Sequence, residues 1–439
     1  MSTILQAVAA YLVKLGRDIV DGWNRFWFQP VDPIPLAFVR LLTGTLVFYV
    51  YASTFGETLN LIGPEGWIDR QAIEEIRAIH EEMEVPFDRQ SHRFYAQSIW
   101  FYVQHPWAIL VIQGLFLVAA LCYAVGLFSR LSNLLVWIGH LSFVHRGYMA
   151  WFGMDSVISM LLLYQLIGPT GATLSVDRLI ERYRLARRAL SAHGRISPED
   201  LALKPSWTAN LSLRMIQLHM GVIYLFAGLA KLQGDRWWYG SAAWYTMVVP
   251  ELELFSMRWL ANTPPWLYVT LVFAATYYTL IFEISFIFLV WNRALRPLML
   301  LGAVALHVGI GLFMGLMEFG VAMLTGCAAF LTPEGLRWFF SALFAGKEKL
   351  RMAYDRRDPK ALRAVALTAA ADAFGQVTFS PTAERHLEVT SGDGKVLTGS
   401  AAFHRLLSAL RCFPLVALAS WGVFSAAPSE AVAQMPGRT

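Results

Sequence analysis

The chain has 439 residues, of which 56% are hydrophobic and only 15% charged, with sixteen Trp and a mean hydropathy of +0.47. A soluble domain carries about 25% charged residues, so this balance points to an all-α polytopic membrane protein. The net charge of +5 calls for no nucleic acid partner, because the basic residues cluster beside apolar segments. The three Cys, at 122, 327 and 412, are too scattered for a disulfide framework or a metal-ligand cluster.

The first residues, "MSTILQAVAAYLVKLGRDIVDGWNRFWF", place Lys14, Arg17, Asp18, Asp21 and Arg25 on a helical pattern that ends in aromatics. This predicts an amphipathic helix lying in the membrane interface over residues 1–30, with no cleavable secretion signal. Eight membrane helices follow within 31–345, over about 33–56, 106–128, 131–149, 153–173, 207–232, 265–290, 295–316 and 318–342. Punctuation supports them: "DPIP" before the first, "HPW" before the second, "GPTG" closing the fourth and "TPPW" opening the sixth.

Loop charge sets the orientation. The connection "SVDRLIERYRLARRALSAHGRISPEDLALK" carries seven Lys/Arg, and Arg293, Arg296, Lys347, Lys349 and Arg351 follow later spans, so these face the cytoplasm. The connection after the first span has nine acidic residues against four Lys/Arg and is expected outside. Eight spans then put both termini in the cytoplasm and Lys231 at the outer, carboxyl end of the fifth helix.

Ionisable residues in spans are functional candidates by default. Gln217, Gly221, Tyr224, Gly228 and Lys231 recur at helical spacing on one face of the fifth helix. Its glycines admit a close neighbour or a ligand, and its polar groups lead toward the ammonium. The bland alternative is a lysine that snorkels to the headgroups and favours a helix carboxyl end. Asp155, at the outer start of the fourth span, is either a structural partner of Arg146 or part of a polar site. Glu283 and His307 lie deep in their spans and either satisfy one another across a helix interface or line a cavity. Arg40 either reaches the cytoplasmic headgroups or pairs with Glu283, and His219, on another face from Lys231, reads as packing. There is no phosphate-binding glycine loop, HExxH, nucleophile elbow or paired-Cys motif.

The ordered segments "DPIPLAFVRLLTGTLVF", "GLFSRLSNLLVW", "LLLYQLIGPTGATLSVD", "YLFAGLAKLQGDRWWYGSA" and "LHVGIGLFMGLMEFGVAMLT" resemble the horizontally transferred transmembrane (HTTM) family, which is related to vitamin K-dependent gamma-glutamyl carboxylase. The similarity runs over about residues 25–345, and "AGLAKLQGDRWWYG" is its most specific part. The resemblance implies that Lys231 is a general base that deprotonates a lipid quinol, reduced vitamin K or menaquinol. Oxygenation of the quinol to an epoxide follows in the family, coupled to carboxylation of a glutamate in a protein or peptide substrate on the extracytoplasmic side. It implies catalytic roles for Lys231, His307 and the Asp155 position. Tyr224, Gln217, Gly228, Glu283 and Arg146 are the expected substrate-binding residues, and no metal is expected. Two departures stand out: the family's site histidine falls on Asp155, and nothing here replaces the carboxylase's large luminal segment.

After a linker at 346–351, residues 352–425 alternate strand, helix, strand, a turn at "GDGK" and helices. This segment resembles the thioredoxin-like DCC family, whose signature is tyrosine-aspartate followed by Cys-x-x-Cys. Tyr354 and Asp355 match, whereas the cysteine positions fall on Asp358 and Ala361. The resemblance implies a small α/β remnant without thiol-disulfide chemistry, followed by a disordered tail at 426–439. Two other functions remain open: a non-catalytic membrane binding or export-associated protein held by intramembrane ion pairs, and a transporter, which the missing internal repeat disfavours.

Overall fold

The computed structural model describes residues 2–67, 71–72, 75, 78, 98–147, 151–249, 254–345, 348–382 and 387–410. Most of the acidic outer connection, part of the 346–351 linker and everything after 410, including the expected tail at 426–439, lie outside the described residues. The chain divides into two compact units, one of 1–174 with 205–331 and the other of 175–204 with 332–439.

In the first unit, α1 (Ser2–Phe28) is a single long helix with an exposed apolar set that includes Ile4, Val8, Leu12, Ile19 and Trp23. Five further helices are long and apolar enough to cross a membrane: α2 (Ile34–Ser53), α3 (Pro106–Val125), α7 (Trp207–Lys231), α8 (Pro265–Leu289) and α9 (Arg296–Met314). By length and composition the protein is therefore a multi-pass membrane protein. Proline opens α3, α8 and α9 within their first turn, where its missing N–H costs nothing. Gly126, at φ +71°, and Gly315, at φ +65°, end α3 and α9 in the left-handed conformation. The outward faces stay apolar: on α3, Trp107, Val111, Leu115, Val118 and Leu121 are all exposed.

Three of the eight expected spans are not single continuous helices of spanning length and hydropathy, and one of the three meets that measure only as a bent pair of helices. The helix at 131–149 is α4 (Ser129–Arg146), whose Ser, Asn and His content lowers its hydropathy. The one at 153–173 is α5 (Gly153–Gln165), whose thirteen residues reach only about 20 Å. The one at 318–342 is α10 (Met317–Cys327), followed after a break by α11 (Pro333–Phe344). Pro333 cannot extend the preceding helix and instead opens the next one, which Thr332 caps by accepting from the Gly335 N–H.

The second unit is built on four strands. β1 (Leu350–Asp355) runs parallel to β2 (Val377–Thr382), with Leu350 opposite Val377 and Asp355 opposite Thr382. β3 (Glu388–Thr390) pairs antiparallel with β1, and β4 (Val396–Leu397) antiparallel with β3, giving the order β2-β1-β3-β4. The β3–β4 turn is the "GDGK" stretch, with Gly394 at φ +81°. α12 (Pro359–Ala371) supplies the crossover a parallel pair requires, and α13 (Gly399–Leu410) ends the described residues.

The basic connection at 175–204 is not a loop. It forms α6 (Val176–His193), capped by Ser175, and packs on α12. The contact is an alanine seam, with Ala186 on one side and Ala361, Ala364 and Ala369 on the other, all buried in one core. Arg182 locks it by donating to the carbonyls of Ala369, Ala370 and Asp372 at the end of α12.

Candidate functional site

The face of α7 singled out by its sequence packs against α8. Its glycines are the reason the two helices approach so closely: a Cβ on Gly221 would lie 2.8 Å from Ile287 Cγ1, and one on Gly228 2.7 Å from Ile284 Cγ1. The space they leave is therefore filled by two isoleucines of α8. One turn beyond Gly228, Lys231 Nζ lies 2.9 Å from Glu283 Oε1 and 2.8 Å from Oε2. Glu283 is 5% exposed, while the lysine side chain keeps 27% of its surface. The ammonium also lies 5.5 Å from the centre of the Trp237 ring, within cation-π range.

Two helical turns earlier on the same face, Tyr224 is buried at the junction of α7, α8, α9 and α10. Its hydroxyl is 2.7 Å from His307 Nε2 and 3.4 Å from Cys327 Sγ. Phe282 and Phe286 pack on its ring, with centroids 5.5 and 4.4 Å away. His307 is 2% exposed, and its Nδ1 has no hydrogen-bond partner among the described residues. A buried imidazole nitrogen without a partner is costly.

The residues chosen from sequence thus separate into groups. Lys231 and Glu283 meet directly, beside Gly228, where an added Cβ would lie 3.2 Å from the Glu283 Cβ, and Tyr224 meets His307. Glu283 and His307 do not satisfy one another: each takes a different partner from α7. Gln217 is engaged elsewhere, accepting from Arg214 Nη1 at 3.0 Å and donating to the Ala329 carbonyl at 2.7 Å.

Asp155 shares no partner with Lys231. It sits in the first turn of α5, where its carboxylate accepts from the Phe152 N–H at 3.1 Å, the work of a helix cap. Its carbonyl lies 3.0 Å from His140 Nε2, and His140 Nδ1 lies 3.0 Å from the Tyr51 hydroxyl. Arg146 is buried at the end of α4 and lines a separate cavity of about 320 Å³ with Ile62, Trp100, Gln104 and Ile109.

Arg40 corrects the expectation most clearly, because it neither reaches headgroups nor pairs with Glu283. It is fully buried and donates to the carbonyls of Tyr123, Ala124 and Leu174. The carbonyls at the end of α3 lack helical partners, and the guanidinium satisfies them. His219 Nδ1 lies 2.9 Å from the Tyr164 hydroxyl. Sequence reasoning missed Cys327, Trp237 and His140. Nothing in the pattern around Cys327 distinguishes it from an ordinary apolar helix residue, whereas the two aromatic residues after Asp235 could have suggested a ring over the lysine.

Among the described residues no group of three or more His, Cys, Asp or Glu could hold a metal ion. No family model, curated protein or solved structure matches this chain.

Proposed function

We propose that the protein is an integral membrane enzyme of the HTTM type, in which Lys231 removes a proton from a lipid quinol. The observation that carries this reading is the Lys231–Glu283 pair, 2.8–2.9 Å apart and mostly withdrawn from solvent between α7 and α8. The two groups share one proton, as ammonium and carboxylate or as amine and carboxylic acid, and transfer along their hydrogen bond interconverts the forms. A poorly solvated site penalises separated charges, which brings the neutral form within reach. The amine then takes the quinol hydroxyl proton and leaves an ammonium beside the new quinolate oxygen. Dioxygen is the oxidant: one of its oxygen atoms becomes the epoxide oxygen, and the other leaves as hydroxide with the second quinol proton. Tyr224, His307 and the flanking Phe282 and Phe286 provide an aromatic, sparsely polar neighbourhood suited to a quinol ring.

The same reading takes the membrane domain to have eight spans with both ends in the cytoplasm. α4 supports this through an inverted pattern: Ser132, Asn133, His140 and Ser142 are buried, while Leu131, Leu134, Leu135 and Ile138 are exposed. Such a helix suits lipid, not water. In the second unit, a parallel β-α-β followed by an antiparallel hairpin and a helix supports a thioredoxin-like remnant. Asp358 there caps α12 through the Lys360 N–H, and Ala361 is buried, so no thiol stands at either position.

The direct pairing of Lys231 with Glu283 also favours a second reading, a non-catalytic membrane protein held together by that pair. Purified protein in lipid nanodiscs, supplied with menaquinol and oxygen, separates the two. The enzyme reading expects oxygen-dependent epoxide formation that falls at least a hundredfold in Lys231→Ala, with Lys231→Arg failing to restore it. Folded protein that neither binds nor converts menaquinol or reduced vitamin K favours the structural reading and ends the enzymatic one.

A further inference from the structure

α6 carries five arginines and no lysine. Two of them are used by the fold. Arg178 pairs with Glu181 at 2.7 Å and donates to the Leu201 carbonyl, and Arg182 closes the end of α12. The other three, Arg184, Arg187 and Arg188, are exposed and have no hydrogen bond or ion pair among the described residues. They stand at i, i+3 and i+4, the spacing at which like charges on a helix repel. Across the alanine seam, α12 adds a fourth unpartnered guanidinium, Arg363, to the same place. The four arginines and Tyr183 line a cavity of about 440 Å³ whose wall includes no acidic side chain.

Membrane topology accounts for basic residues near the ends of spans, where only their number matters. It does not account for Arg363, which is far from any span in sequence and converges on the α6 arginines through the packing of two helices. Four guanidiniums that repel one another and perform no structural task are placed as a phosphate site requires, since the planar donor fork matches phosphate oxygens in pairs. α6 directly follows the membrane helices in sequence, and clustered arginines in that position favour anionic headgroups. We propose that the α6–α12 arginine cleft binds phosphate-bearing anions and that anionic phospholipid headgroups are its occupant.

The test uses the full chain in neutral detergent. Native mass spectrometry follows retention of phosphatidylglycerol against phosphatidylcholine, with inorganic tripolyphosphate as a soluble competitor. The comparison is with a variant carrying R184Q, R187Q, R188Q and R363Q. All four positions are exposed, so the variant is expected to keep the parent's thermal unfolding midpoint, and this is measured first. The expected result is selective retention of phosphatidylglycerol that weakens at least tenfold in the variant and declines with added salt. Tight one-to-one binding of tripolyphosphate that depends on the four arginines, without lipid selectivity, keeps the phosphate chemistry but overturns the lipid as occupant. Anion and lipid binding unchanged in the folded variant overturns the site itself.

Discussion

Removing one member of the Lys231–Glu283 pair strands the other against the apolar faces of α7 and α8. Loss of one partner from a buried pair costs about 3 kcal/mol or more, reduced here because the lysine is partly exposed. Replacing both with methionine removes the stranded charge, so Lys231→Met/Glu283→Met is expected to be more stable than the sum of the single variants by about 1–2 kcal/mol. Unfolding of the four proteins in the same detergent measures this coupling, and additive losses would show that the pair does not interact in solution. At this scale the sequence was legible where a polar residue interrupts an apolar run. Lys231, Glu283, Tyr224 and His307 all stood out, and they meet in two contacts. Asp155 stood out equally and is a helix cap, because hydropathy registers the cost of a carboxylate but not the backbone N–H that offsets it. Arg40 was misread for the same reason: its acceptors are main-chain carbonyls at the end of α3, which leave no trace in residue identity.

Helix contacts in the first unit depend on small residues as much as on large ones. A methyl group at Gly228 would fall 2.7 Å from Ile284 and 3.2 Å from the Glu283 Cβ, closer than packed atoms tolerate. Gly228→Ala is therefore expected to push α8 away from α7, at a cost of about 1–3 kcal/mol, and to lengthen the Lys231–Glu283 contact. Thermal unfolding reads the first effect. If the enzymatic reading holds, quinol turnover falls with it, and an unchanged midpoint with full activity would refute the close approach. The helix starts were readable from "DPIP", "HPW" and "TPPW", because proline fixes φ and suits the first turn. The helix of α6 was not anticipated from its sequence, where its arginines read only as topology signals. Its alanine face becomes visible only once α12 is placed against it.

For the whole molecule, the number of crossings decides which side each end occupies. If only α2, α3, α7, α8 and α9 crossed, residues 1 and 439 would face opposite sides of the membrane, since five is odd. Eight crossings return the chain to the side where it began. Hydropathy alone gives five, or six if α10 and α11 form one bent span, because α4 is rich in polar residues and α5 is short. Burial argues the other way. α4 hides its polar residues and exposes leucines, and α5 buries Met154, Val157, Ile158, Leu161 and Leu162 among other helices, where a short helix need not meet lipid along its full length. Loop charge agrees with eight, since Lys347, Lys349 and Arg351 then join the arginine-rich 175–204 segment on the cytoplasmic side, whereas five crossings would separate them. A fluorescent protein fused after residue 439 is expected to fluoresce in cells, and one fused before residue 1 likewise, whereas alkaline phosphatase at either end should be inactive. Phosphatase activity at one end alone would mean an odd number of crossings and would overturn the eight-span reading.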